Sequence, residues 1–184
     1  MINNTIMKNK IRNIVIFSAL ALLISSCTKQ ESENKVKDMN IKLSWGIITN
    51  MLEGESSCRA AFTIQNKSSQ TIGNSGWAIY YSQIPRRVTN EPNAKAIVKH
   101  INGDWFKIIP AQNFSLAPNE QVTVHYDLSH YLIKETDAPL YPYIVRYDEN
   151  GNETSVSRIT DYKILPFEKP EQINRGADDV VPIP

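Results

Sequence analysis

Apolar and polar residues alternate along most of this chain, and the period is two. Ile41, Leu43, Trp45 and Ile47 are separated by Lys42, Ser44 and Gly46, as in a strand with one face buried. Phe62 and Ile64 alternate with Thr63 and Gln65, and residues 66–70 that follow have turn chemistry. Trp77, Ile79 and Tyr81 line one side of a third strand. Residues 96–101 and 105–109 flank Asn102-Gly103-Asp104, and Asn-Gly takes positive φ cheaply, so a hairpin is expected. Ala117-Pro118-Asn119-Glu120 reads as a turn before Val122, Val124 and Tyr126. Residues 141–147 run into Asp148-Glu149-Asn150-Gly151, again hairpin-like, and residues 154–165 read as a last strand. No segment carries the periodicity of a long helix, and residues 129–136 leave room for one helical turn only. About eight short strands with frequent turns predict an all-β fold, an antiparallel β-sandwich, with no internal repeat.

The flanks of this pattern differ from it. Lys8, Lys10 and Arg12 precede a short apolar run from Ile14 to Ile24, and Ile24-Ser25-Ser26-Cys27 follows. The run is short for a membrane span and has the order of an export signal. Small residues before a cysteine have the form of a bacterial lipobox, so residues 1–27 are read as a lipoprotein signal ending at a lipidated Cys27. An ordinary signal peptide with a chance cysteine is the other reading. Residues 28–38 are polar and charged, a tether in composition. Residues 39–165 hold the alternating pattern, which is enough chain for one core. Residues 166–184 contain Pro166, Pro170, Pro182 and Pro184 and read as an extended, linker-like tail. A protein so processed belongs at the outer membrane or cell surface, anchored by lipid.

Charge and cysteine content narrow the chemistry. The formal charge is +1, and removal of residues 1–26 takes away three cations and no anions, leaving −2. Nucleic acid is therefore not an expected partner. With Cys27 lipidated, Cys58 is alone, so no disulfide framework exists; it opens an apolar alternation, as a small buried hydrophobe does. His100, His125 and His130 lack metal-ligand spacing, and neither a metal nor another cofactor is implied.

Three stretches carry a family resemblance: Ser75-Gly76-Trp77-Ala78-Ile79-Tyr80-Tyr81, then residues 100–108 (His-Ile-Asn-Gly-Asp-Trp-Phe-Lys-Ile), then Ala117-Pro118-Asn119-Glu120. Together they resemble the N-terminal domain of bacterial chitobiases and β-N-acetylhexosaminidases of glycoside hydrolase family 20. The resemblance runs from about Ile41 to Pro184 and implies a sandwich likened to cellulose-binding modules, placed ahead of a catalytic barrel. Residues 166–184 resemble the passage from that domain to the next. The sequence ends at Pro184 without the barrel. The expectation is thus either an accessory domain or the N-terminal piece of a longer or split hexosaminidase.

The family's hydrolases use a neighbouring Asp-Glu pair. Asp148-Glu149 is the only such dipeptide here, but it opens a hairpin where both carboxylates meet water, while a general acid needs burial. No catalytic residue is assigned. Binding remains: sugar rings stack on exposed aromatics, and polar neighbours hold their hydroxyls. Trp45 and Trp77 share faces with aliphatic residues and read as core. Trp105 follows a turn, Tyr80 lies opposite Trp77, and Tyr141 and Tyr143 are two apart on one strand face. These four are the candidate carbohydrate-binding residues. The expected partners are an N-acetylglucosamine-containing glycan, the membrane through the lipid, and a catalytic glycosidase. A protein-docking scaffold is the third functional reading.

Overall fold

The computed structural model describes residues 39–130, 132 and 137–172. Cys27 and its signal, the tether 28–38, the tail beyond Gln172 and most of the segment 129–136 lie outside these residues.

Ten strands form among the described residues: β1 (Ile41–Asn50), β2 (Ser57–Asn66), β3 (Trp77–Ser82), β4 (Val88–Asn90), β5 (Ala96–Asn102), β6 (Trp105–Pro110), β7 (Gln121–Ser129), β8 (Leu140–Tyr147), β9 (Glu153–Arg158) and β10 (Tyr162–Ile164). They make two five-stranded sheets. Sheet one has the order β10-β1-β2-β7-β4 and sheet two the order β5-β6-β3-β8-β9. Every pairing is antiparallel except β1 with β10. The expected sandwich is therefore present, with two differences from the sequence reading. The run 154–165 is two strands and not one: β9 pairs with β8 in sheet two, and the chain then crosses to lay β10 beside β1 in sheet one. Ile159, buried at the crossing, and the Leu43 N–H donating to the Asp161 carbonyl at 2.9 Å fix the switch. The other difference is β4, whose three residues are too few to show a period. Its Asn90 side chain bonds both the N–H and the carbonyl of Val98 on β5, at 2.8 and 2.9 Å, joining the sheets along one edge.

The alternation buries one face of each sheet against the other. Phe62 and Tyr126 of sheet one meet Tyr81 and Phe106 of sheet two in a run of rings. Phe106 stacks on Tyr81 at 5.4 Å, Tyr81 meets Phe62 at 5.1 Å, and Phe62 stacks on Tyr126 at 5.8 Å. Rings of this size contribute about 1.5–3 kcal/mol each through burial. Trp45, wholly buried, donates its indole N–H to the Tyr126 hydroxyl at 2.8 Å, and Trp77 donates to the Gly73 carbonyl at 2.8 Å. A buried indole without such a partner would be costly. Both tryptophans are core, as their aliphatic neighbours imply. Cys58 is buried too, and desolvation pushes its thiol up to about 12, which makes it inert.

Buried amides fasten the loops. Asn66 donates to the carbonyls of Gln70 and Leu116, at 2.7 and 2.8 Å, and its carbonyl oxygen accepts from Ser68 N–H at 2.8 Å. Asn50 donates to the carbonyls of Leu132 and Gln172, at 2.9 and 2.8 Å. Gln172 in turn donates to the Ile47 carbonyl at 2.7 Å, and Phe167 lies 6.5 Å from Trp45 ring to ring. Residues 166–172, the described start of the tail read as extended linker, are thus tied back onto β1.

Candidate functional site

Each sheet has one face left for solvent, and the strand registers say what stands on it. On sheet one, Lys163, Ser44, Thr63 and Thr123 occupy one row across β10, β1, β2 and β7. Four residues back along β2, Arg59 stands directly opposite Asp127 and grips it through two bonds, at 2.7 and 3.0 Å. His125 lies 3.9 Å from Glu91. This face is polar, and its Arg59 and Asp127 are paired in charge.

Sheet two differs. One row runs Lys99, Lys107, Tyr80, Tyr143, Arg158 across β5, β6, β3, β8 and β9. In the next row, Ile97 stands opposite Ile109, and Ala78 opposite Val145 beside Val156. At the other side of the aromatic row, Asn102, Trp105, Ser82 and Leu140 are cross-strand neighbours.

Three of the four sequence candidates come together here. Tyr80 stacks on Tyr143 at 5.5 Å and 13°, and Trp105 meets the Tyr80 ring at 5.7 Å and 48°. The Lys107 ammonium sits 5.9 Å from the Tyr80 centroid. Tyr80 is consequently packed between rings, with its faces used inside the cluster. Trp105, 43% exposed at the end of the series, is the ring with surface to spare. Beside it Ser82 donates to the Asp104 carboxylate at 2.7 Å, a polar pair next to an open indole.

Tyr147, not among the sequence candidates, completes the cluster: its hydroxyl is 2.7 Å from that of Tyr80. In register, Tyr147 and Tyr80 lie on either side of the Ala78–Val145 pair, whose two outward-facing apolar residues are buried. Burial pushes the Tyr147 phenol upward, reinforced by the bond to Tyr80. Burial also raises Tyr143, opposed by the nearby Trp105 indole. The signal for Tyr147 was its place just before the Asp148–Gly151 turn, which sets it level with the start of β3. Likewise the Asn102-Gly103-Asp104 turn, with Gly103 at φ 48°, is what brings Lys99 opposite Lys107.

Tyr141 stands apart. Simple alternation puts it on the face of Tyr143, but the β3–β8 register shifts between Tyr80 and Ser82, and Tyr141 has φ 53° at that bulge. Its ring is turned out to solvent, 70% exposed, and pairs with no other ring among the described residues.

Asp148 and Glu149 are both exposed. The Asp148 carboxylate accepts from the backbone of Asn150 and Asn152 and from the Asn152 side chain, at 2.8–3.0 Å, and the Asn152 bonds hold its carboxyl below the usual range. It shapes a turn, and its shift is opposite to that of a general acid. No group of His, Cys, Asp or Glu able to hold a metal ion occurs among the described residues.

Comparison with known proteins adds the family. A family model described as "Putative carbohydrate binding domain" matches residues 28–183. No curated protein matches the chain. Among solved structures, a family 20 exo-β-N-acetylglucosaminidase from Vibrio harveyi is similar at TM-score 0.50 and 14% identity, over 69% of this chain and 18% of that one. A family 18 chitinase from Chromobacterium violaceum is similar at TM-score 0.48 and 15% identity, over 69% of this chain and 20% of that one. At 14% identity the likeness to the Vibrio enzyme is one of fold, and each match spans about a fifth of the enzyme's length.

Proposed function

We propose, because this chain belongs to the carbohydrate-binding domain family of chitobiase and hexosaminidase N-termini, that it is a non-catalytic binder of N-acetylglucosamine-containing glycans. The contact is the outer face of sheet two. The observation that carries this reading is the half-exposed Trp105, held by the Tyr80–Tyr143–Tyr147 cluster with the Ser82–Asp104 pair beside it. A pyranose face stacks on the indole, and Asp104 and Ser82 take its hydroxyls. One stacked ring is worth about 1–3 kcal/mol, so the affinity is weak. Anchorage through a lipidated Cys27 at the outer membrane or cell surface compensates, because tethering raises the effective concentration of a weak binder near its glycan. The test is retention of the purified protein on chitin, with Trp105→Ala as the partner measurement. Loss of retention in the variant, at unchanged fold, supports the reading; absence of retention in the parent protein removes it.

A second reading, docking onto a catalytic glycosidase, draws support from the apolar row. Ile97 and Ile109 are half-buried there, and Val156 is 59% exposed on the same face. Val156→Lys, which places a charge in that row, is expected to abolish co-purification with such an enzyme and to leave chitin retention intact.

A further inference from the structure

We propose that the glycan this face takes is acidic, an N-acetylhexosamine chain that also carries carboxylate or sulfate groups; the proposal rests on the glycan-binding reading above. The row Lys99, Lys107, Tyr80, Tyr143, Arg158 has three cations, two rings and no acid. With strands about 4.8 Å apart it spans about 19 Å. None of the three cations makes an ion pair among the described residues. The acids nearest in register are engaged or displaced: Asp104 is bonded to Ser82, and Glu153 stands opposite Tyr147.

The Lys99–Lys107 pairing is the decisive feature. Like charges directly opposite on neighbouring strands destabilise a sheet. In sheet one the same fold puts Asp127 opposite Arg59 and closes the pair at 2.7 Å. In sheet two it keeps two ammonium groups opposed and unneutralised. The whole chain has 20 cations to 19 anions, so this row does not reflect a generally basic surface. Lys107 follows Trp105 by two residues on β6, which sets both on one face about 7 Å apart. A sugar stacked on Trp105 therefore brings an acidic substituent of its own, or of the next unit, to Lys107 and Lys99. Charge complementarity of this kind selects the ligand more than it adds affinity.

The test is calorimetric titration of the full chain in detergent with three oligosaccharides of equal length. These are hyaluronan (N-acetylglucosamine alternating with a uronic acid), keratan sulfate (sulfated N-acetylglucosamine alternating with neutral galactose, without carboxylate) and soluble chitin. At low salt the carboxylated or the sulfated chain is expected to bind at least about tenfold more tightly than chitin, and the advantage shrinks as salt screens the exposed charges. Whichever acidic arm is stronger identifies the anion. Lys99→Gln and Lys107→Gln are each expected to weaken the acidic chain about threefold and leave chitin unchanged. Equal or tighter binding of chitin, or indifference of the acidic chain to both variants, overturns the acidic assignment while the glycan reading stands. Binding of none of the three overturns both. Acidic binding that survives Trp105→Ala and is matched by RNA shows unselective charge attraction and also overturns the proposal.

Discussion

Thr63, Thr123 and the Arg59–Asp127 pair stand on the outer face of sheet one; Trp105, Tyr80, Tyr143, Tyr147 and the opposed Lys99 and Lys107 stand on that of sheet two. Both sheets send the same kind of residue inward. The difference is confined to the outside, where folding leaves the choice open. Sheet one spends its outer positions on groups that satisfy one another, such as the bidentate guanidinium–carboxylate pair. Sheet two holds large rings in place with other rings, leaves one indole half in water and sets two lysines directly opposite each other. A face that only had to be soluble would resemble sheet one.

The sharpest break in this comparison is Trp105→Ala. It is expected to lower glycan affinity about tenfold or more, since stacking is worth about 1–3 kcal/mol, with a thermal midpoint within a few degrees of the parent. Thr63→Ala and Thr123→Ala, at outward positions of sheet one, are expected to leave binding untouched. Tyr147→Phe comes next. It deletes the hydroxyl bond that braces Tyr80 and is expected to cost about 1 kcal/mol in denaturant unfolding, with a smaller loss of binding. Arg59→Ala is expected to cost up to about 1 kcal/mol of stability, because its pair is still partly open to water, and nothing in binding. Lys99→Glu is the reverse experiment. It makes an opposite-charge pair with Lys107 and is expected to raise stability by about 0.2–1 kcal/mol. A pH scan gives the smallest signal on this face. The phenols of Tyr143 and Tyr147, like the core Tyr81 and Tyr126, titrate above their ordinary value of 10.0 in the folded protein. Their contribution is complete below that value and is lost as pH rises past it toward the folded values, so the unfolding midpoint should fall on the alkaline side. Tyr147→Phe should flatten that limb.

Much of the inner architecture is legible in the sequence, because burial imposes a period of two that Leu43, Trp45, Phe62, Ile79 and Tyr81 display. The turn residues Asn102-Gly103 and Asp148–Gly151 mark two hairpins where the structure has them. What escapes is whatever depends on which strands are neighbours. The β9-to-β10 crossing looks like one continuous strand, since both halves are extended and only the pairing partner changes. The row of Lys99, Lys107, Tyr80, Tyr143 and Arg158 comes from five strands, and no local pattern marks it. Trp105, Tyr80 and Tyr143 stand out in the sequence one at a time; their meeting requires the β6-β3-β8 order. Tyr141 shows the opposite hazard, a local rule that a bulge overrides.

The central claim is that the outer face of sheet two is where sugar binds. Backbone amide chemical-shift mapping of the isotopically labelled protein during titration with a soluble N-acetylglucosamine oligosaccharide addresses it most directly. The expected perturbations are at Trp105 and its indole N–H, Tyr80, Ser82 and Asp104, with Thr63, Thr123 and Arg59 unmoved. Perturbations centred on sheet one, or none anywhere at saturating oligosaccharide, would contradict it.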